Sequence, residues 1–282
     1  MIIIKIVDLH THSNISDGSL SPEELIHRDI DLSISAIALT DHDTIDGISR
    51  AKAAAKEQIE FIPGIELSAF YKDREVHIVG LYINIENEAF YDSISKVALV
   101  RDQRNLLMIK NMADHGIDIT PEKMFESEGS GILTRANFAN YLKNHGYVSS
   151  TNEAFKKYLD KGRPFYIPRQ QLSPKDAIHM IQLAGGVPIL AHPLLYKFTM
   201  EQLRQCLRDL KELGLVGMEA YYSRNTGTDT PRMKTLADEF GLIYSGGSDF
   251  HGKYKPDIEL GIGTGHLRVP YEVLDGIKNA RP

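Results

Sequence analysis

Short apolar runs alternate with amphipathic helical stretches at both ends of this sequence, a rhythm that confines the chain to an α/β fold with a largely parallel sheet or barrel. The first run, Ile2 to Asp8, reads as a buried strand. Ser21 and Glu24 flank Pro22 with the spacing of a capping box, so a helix starts there and runs to about Leu32. A strand from Ala36 to Thr40, a helix over roughly Ile45 to Gln58, and strands Phe61 to Ser68 and Val76 to Ile83 complete a βαβαββ opening. From about Glu88 to Tyr158 the alternation stops. That stretch is helical and polar, with turn signals at His115-Gly116, Gly129-Ser130-Gly131 and His145-Gly146. The rhythm then returns with helices near Pro174 to Leu183, Met200 to Leu213 and Pro231 to Phe240. Strands Val187 to Ala191, Val216 to Tyr221 and Leu242 to Ser245 alternate with them. The expected organisation is one barrel portion over 1–87, a helical insert over 88–158, and a second barrel portion over 159–282.

With 42% apolar residues among 282, the chain can bury a full core. The opening MIIIK run is too short for a signal peptide or a membrane anchor, so a cytoplasmic location without membrane association is expected. A net charge of -6 gives no basic field to hold long nucleic acid by counterion release, so an anionic substrate must be captured locally. Cys206 sits among Leu203, Leu207 and Leu210 at helical spacing and reads as a core residue; disulfides within the chain are excluded. The absence of tryptophan beside eleven histidines turns attention to where the histidines fall.

In an extended chain His10 and His12 project to the same side, so the first strand aims two imidazoles at one point. Further groups follow apolar runs: Thr40-Asp41-His42-Asp43, Pro63-Gly64-Ile65-Glu66, Ala191-His192-Pro193 and Gly247-Ser248-Asp249-Phe250-His251. Parallel α/β folds assemble their sites from loops at the carboxyl ends of strands, where most of these groups lie. His77 departs from the pattern because it opens its apolar run, and spacing does not orient that strand. Any one group alone could be a hydrogen-bonded core histidine or a capping aspartate; their recurrence at strand ends favours a shared site.

The segments DLHTHS, SDGSLSPEEL, ALTDHDTIDG, PGIELS, LAHP and GGSDFHG resemble the successive motifs of the PHP (polymerase and histidinol phosphatase) superfamily, in that family's order. The resemblance implies a distorted, seven-stranded (β/α)7 barrel interrupted by a helical subdomain. It is strongest toward the bacterial nucleoside 3',5'-bisphosphate phosphatases and short-RNA 5'-3' exonucleases, which carry an insert of similar size and place. It implies two or three divalent cations. His10, His12 and Asp249 would hold one, Asp17, His42 and His251 a second, and His77 with His192 a third, which Glu66 bridges to the first. Imidazole and carboxylate donors without thiolate suit Mn, Fe or Zn.

The implied reaction is phosphoester hydrolysis by activated water on a nucleotide or short oligonucleotide, with Asp43 and Arg135 as candidate catalytic groups. Asp41 and Asp43 either orient ligating imidazoles or serve turns and caps. Arg135, beside a helix start at Thr134, either contacts substrate phosphate or forms a surface ion pair. Arg224 is a second phosphate candidate, and Asn137 stands where the family usually has histidine. His27, His115, His145 and His179 read as surface or capping residues, and His266 is open. Two rivals stand beside this reading: a small-metabolite phosphatase acting on a compound such as histidinol phosphate, and a non-hydrolytic module that binds metal or nucleotide.

Overall fold

In the computed structural model, which describes residues 5–128, 131–168 and 172–282, the βαβαββ opening is formed by six elements. They are β1 (Ile6–Thr11), α1 (Pro22–Asp31), β2 (Ala36–Leu39), α2 (Ile48–Ala55), β3 (Glu60–Tyr71) and β4 (Arg74–Leu81). The expected start of the first strand, Ile2 to Ile4, lies outside the described residues. The Ser21 hydroxyl accepts the Glu24 N–H at 3.2 Å and the Glu24 carboxylate accepts the Ser21 N–H at 2.8 Å, so the capping box starts α1 as its sequence predicts. Helix α2 is shorter than expected. The Thr44 hydroxyl accepts the Asp46 N–H at 3.2 Å, and this local turn competes with helix over residues 45–47.

The helical stretch comprises α3 (Glu88–Asp114), α4 (Pro121–Glu128), α5 (Arg135–Asn144), α6 (Thr151–Ala154) and a π turn over Phe155–Leu159. Gly129 and Ser130 of the expected turn lie outside the described residues. These helices share a core of their own, including Met108, Met112, Met124, Phe138 and Tyr141. It reaches Phe165, past the expected boundary at Tyr158. The second α/β portion follows with α7 (Pro174–Leu183), β5 (Val187–Leu190), α8 (Met200–Glu212), β6 (Gly217–Tyr222), α9 (Asp229–Glu239) and β7 (Ile243–Gly247). A two-residue strand β8 (Val269–Pro270) and a helix α10 (Tyr271–Asn279) complete it, and neither is anticipated from the sequence.

The strands form one sheet in the order β7-β6-β5-β4-β3-β2-β1-β8. All neighbours from β1 to β3 and from β5 to β7 are parallel, whereas β4 runs antiparallel to both β3 and β5. The start of β4 therefore lies at the carboxyl end of the other strands, and His77, opposite Ser68, is delivered there. Just beyond β7 the chain returns to β1: the Asp249 N–H donates to His10 O at 2.8 Å, and the His12 N–H to Phe250 O at 3.0 Å. A Cβ at Gly247 would collide with the backbone of His10, so only glycine allows this approach. Strand β8 pairs antiparallel with Ile6 and Val7 at the other end of β1, so the seven expected strands become a nearly closed barrel of eight.

Side chains alternate across the barrel wall. Ile37 and Leu39, Ile65 and Leu67, and Met218 and Ala220 pack in the large cluster with helices α1, α2, α7, α8 and α9. Ala36 and Ala38, Ile62, Val79 and Leu81, and Val187 and Ile189 face one another inside, where Leu274 and Ile277 of α10 join them. Continuing the inner face toward the carboxyl end brings Glu66 and Glu219 inward in place of apolar side chains.

Candidate metal centre

Each segment that leaves the carboxyl end of the barrel is fixed before it presents a donor. Asp17 lies in the loop after β1, and Asp41 folds that loop by accepting the Ser13 N–H at 2.8 Å and the Ser13 and Ser16 hydroxyls at 2.6 Å. Burial pushes the Asp41 carboxyl up to about 6 despite these bonds and the nearby His12. Asp43, His192 and Asp249 carry φ values of 52°, 24° and 55°, a left-handed conformation that costs non-glycine residues about 1 to 3 kcal/mol each and gathers here at the site.

Five of the other eight ligand candidates surround Glu66, which is 1% exposed, and Asp17, Asp249 and His251 adjoin those five. Its Oε2 lies 3.3 Å from the Nε2 atoms of His10 and His12 and 3.1 Å from His42 Nδ1. Its Oε1 lies 2.9 Å from His77 Nδ1 and 2.9 Å from His192 Nε2. Asp249 Oδ1 is 3.5 Å from His12 Nε2, while its Oδ2 accepts hydrogen bonds from the Tyr222 hydroxyl at 2.8 Å and the Lys255 ammonium at 2.7 Å. Asp17 is 3.3 Å from His251 Nε2 and 3.8 Å from His42 Nε2. The His251 ring places Nδ1 2.8 Å from Asp249 O, which leaves Nε2 to face Asp17.

Electrostatics hold the carboxylates ionised, the form in which they bind cations. Burial works against the Glu66 anion, but His42, His10 and His77 outweigh it and keep its pKa well below the usual carboxylate range. Burial likewise opposes the Asp249 anion, and Lys255 and His251 prevail. One carboxylate cannot support every surrounding imidazolium. Burial lowers His42 to about 3, whereas at His77 the attraction of Glu66 overcomes burial and raises the ring to about 10.

The donor set fits divalent cations. Glu66 Oε2 and the ring nitrogens His12 Nδ1, His42 Nδ1 and His192 Nδ1 are buried without a hydrogen-bond partner, although three ring nitrogens surround that oxygen. The Nε2 atoms of His10 and His12 lie 3.1 Å apart, close enough for one ring to donate to the other or for both to ligate one cation. Among the described residues, three groups bring such atoms together: His12, Asp17, His42 and His251; His10, His12 and Glu66; and His42, Glu66 and His77.

The remaining candidates separate. Asp43 is fully buried; it accepts the Ser68 N–H at 3.0 Å and pairs with Arg101 of α3, whose Nε lies 3.0 Å away. Arg135 pairs with Glu75 at 2.7 Å and lines a cavity beside Asp17, His42 and His77. Arg224 pairs with Asp257 on the surface and is not among that cavity's lining residues. Asn137 closes a capping box at α5, its carbonyl oxygen accepting the Thr134 N–H at 2.7 Å. His27, His115, His145, His179 and His266 are exposed, and Cys206 is buried and free. No helix among the described residues is long and apolar enough to cross a membrane.

Sequence reasoning passed over Glu219, whose carboxylate lies 2.7 Å from His10 Nδ1, and the Thr134 hydroxyl, 2.9 Å from Asp17 Oδ2. Glu219 sits inside an apolar strand pattern and Thr134 at a helix cap, so neither carries a signal of its own. Thr134→Val removes both the α5 cap and the bond to Asp17. A cap alone is worth about 1 kcal/mol, so urea unfolding should show a loss of about 1 to 2 kcal/mol with an unchanged m-value.

Residues 8–222 match the PHP domain. The chain belongs to the PHP family. A 5'-3' exoribonuclease of Haemophilus influenzae is 38% identical over 245 residues, covering 86% of this chain and 89% of its own. A 3',5'-nucleoside bisphosphate phosphatase of Chromobacterium violaceum is 34% identical over 247 residues, covering 87% of each chain. A Bifidobacterium adolescentis structure assigned provisionally to the metal-dependent phosphoesterases superposes with a TM-score of 0.85 at 26% identity, over 99% of this chain and 97% of its own. As a PHP protein with this site, the chain is a metal-dependent phosphoric ester hydrolase.

Proposed function

We propose that the chain hydrolyses phosphate esters of nucleotides, with nucleoside 3',5'-bisphosphates or short 5'-phosphorylated oligonucleotides as substrates. The observation that carries this reading is the cavity in which Asp17, His42 and His77 share the lining with Arg101, Arg104 and Arg135. Phe70, Phe155 and Tyr166 line the same space, so one cavity offers metal-facing donors, guanidinium groups and apolar ring surface. In a chain of net charge -6, this is local capture of an anion.

The proposed ligand sets are those the family resemblance implies, and the closeness of His10 and His12 to Glu66 and of Asp17 and His42 to His251 supports them. His10, His12 and Asp249 form one position, Asp17, His42 and His251 a second, and His77 with His192 a third, with Glu66 joining the first and third. Two or three ions of Mn, Fe or Zn fit these donors. Bound there, they supply the Lewis acidity that activates water at neutral pH and offsets charge on phosphoryl oxygens. Arg135 holds a second phosphate. Asp43 acts as a positioning group, because its ion pair fixes Arg101 at the cavity wall. The helical insert, assigned to residues 88–158, forms that wall through Arg101 and Arg104 of α3, Thr134 to Ala136 at the start of α5, and Phe155.

Metal analysis coupled to a turnover panel tests the proposal. Two or three divalent ions per chain are expected, with kcat/KM for 3',5'-bisphosphates or 5'-phosphorylated short RNA above that for histidinol phosphate and simple mononucleotides. Chelation should abolish turnover on all of them. Highest efficiency on histidinol phosphate would overturn the nucleotide assignment, and full metal loading with no phosphoester turnover would favour a binding module.

A further inference from the structure

We infer that Glu219 is a positioning residue that fixes the ligating nitrogen of His10 and ties it to His192, an inference that rests on the metal-centre reading above. Glu219 lies on the inner face of β6 and is 1% exposed. Its Oε1 is 2.7 Å from His10 Nδ1, and its Oε2 accepts the backbone N–H of His192 at 2.6 Å. An ionised carboxylate offers only acceptors, so both partners must donate. His10 Nδ1 is thereby engaged, so Nε2 is the nitrogen left to bind a cation, and it lies 3.1 Å from His12 Nε2 and 3.3 Å from Glu66 Oε2.

His192 is held from the other side. Its backbone adopts a φ of 24°, and the amide bond to Glu219 anchors that strained residue while its ring faces Glu66 Oε1. One carboxylate thus couples an imidazole from the end of β1 to one that follows β5, and these two rings flank opposite oxygens of Glu66. A ligating imidazole whose other nitrogen donates to a carboxylate is fixed in orientation and made more basic as a ligand.

Glu219→Gln separates this role from mere packing, because the two side chains are nearly the same size. A peptide N–H cannot accept a hydrogen bond, so the carbonyl of the introduced amide must turn toward His192, and its NH2 then faces His10 Nδ1. That nitrogen accepts only if the imidazole proton moves to Nε2, which removes the lone pair from the metal-facing side. Metal affinity at the His10 and His12 position is expected to fall about 10- to 100-fold.

Metal content would be measured for wild-type protein and Glu219→Gln, both dialysed against the same series of free Zn2+ concentrations. The expected result is loss of about one equivalent at low free metal, regained at higher concentration, with unchanged far-UV circular dichroism. Zinc-loaded wild-type protein labelled with 15N-imidazole provides a second readout that needs no variant. His10 should appear as the Nδ1–H tautomer with Nε2 ligated. Wild-type affinity and stoichiometry in a folded Glu219→Gln, or an Nε2–H tautomer for His10, would overturn the inference while leaving the metal centre standing. Wild-type protein that binds no divalent ion would instead overturn the metal-centre reading, and this inference with it.

Discussion

Glu66→Gln is expected to lower kcat/KM by about two to three decades and to reduce the divalent metal bound per chain. The size of the effect follows from how many groups depend on one carboxylate. Five imidazoles lie within 3.3 Å of its two oxygens: His10, His12 and His42 around Oε2, and His77 and His192 around Oε1. Glutamine keeps the shape but removes the negative charge and places an NH2 donor where two or three lone pairs converge. A cation held there loses a ligand and gains a neighbouring dipole of the wrong sign. Removing a single preorganised electrostatic contact at a reacting centre costs about 10²- to 10³-fold in rate, and the present change also weakens metal binding.

Metal stoichiometry and steady-state kinetics on one preparation separate the contributions. A fall in both is the expected outcome. Normal stoichiometry with a reduced rate would confine Glu66 to the electrostatics of the reaction. Normal values of both would show that the centre is not organised around it.

Why Glu66 could be found from sequence and Glu219 could not is a matter of position. Glu66 follows Pro63-Gly64 near the end of an apolar run, where a charged residue breaks the pattern at the place where barrel loops converge. Glu219 occupies the equivalent inner face of β6, but it is flanked by Met218, Ala220 and two tyrosines, and a period-two pattern assigns it a face without a partner. His77 shows a different limit. Its run of apolar residues identifies a strand, yet hydrophobic periodicity is the same in both directions; only pairing of β4 antiparallel to β3 and β5 places His77 with the other imidazoles.

Local signals behaved more simply. Ser21, Pro22 and Glu24 fix the start of α1 within the segment itself, as do Ser173 and Pro174 for α7. Strand β8 had no comparable mark. Its two residues pair with Ile6 and Val7, at the opposite end of the chain, and no window of sequence contains both partners. Arg101 and Arg104 were hidden because they sit on a long helix with charges throughout. Burial of both beside the cavity comes from the packing of α3 against the barrel.

Arg135→Ala is expected to cost about one to two decades in kcat/KM on substrates with two phosphate groups and much less on an aryl monophosphate. The reacting phosphoryl group belongs with the carboxylates, the imidazoles and their cations, so a second phosphate needs a cation of its own. Arg135 opens α5 immediately after the Thr134 cap, and Thr134 also bonds to Asp17, so the helix start that positions the guanidinium is tied to a metal-facing donor. A guanidinium can hold a phosphate through two parallel hydrogen bonds, and loss of a charge-assisted contact costs about 1.5 to 3 kcal/mol. The Glu75 carboxylate already occupies Arg135 at 2.7 Å and must yield to the phosphate, which moves the expected loss toward the lower end of that range. Arg135→Lys keeps the charge but not the fork, so it should recover only part of the efficiency on bisphosphates. Kinetics of both variants on a nucleoside 3',5'-bisphosphate and on an aryl phosphate decide the matter. Equal losses on the two substrates would place Arg135 on the reacting phosphate or in folding, and no loss on either would reduce it to the ion pair with Glu75.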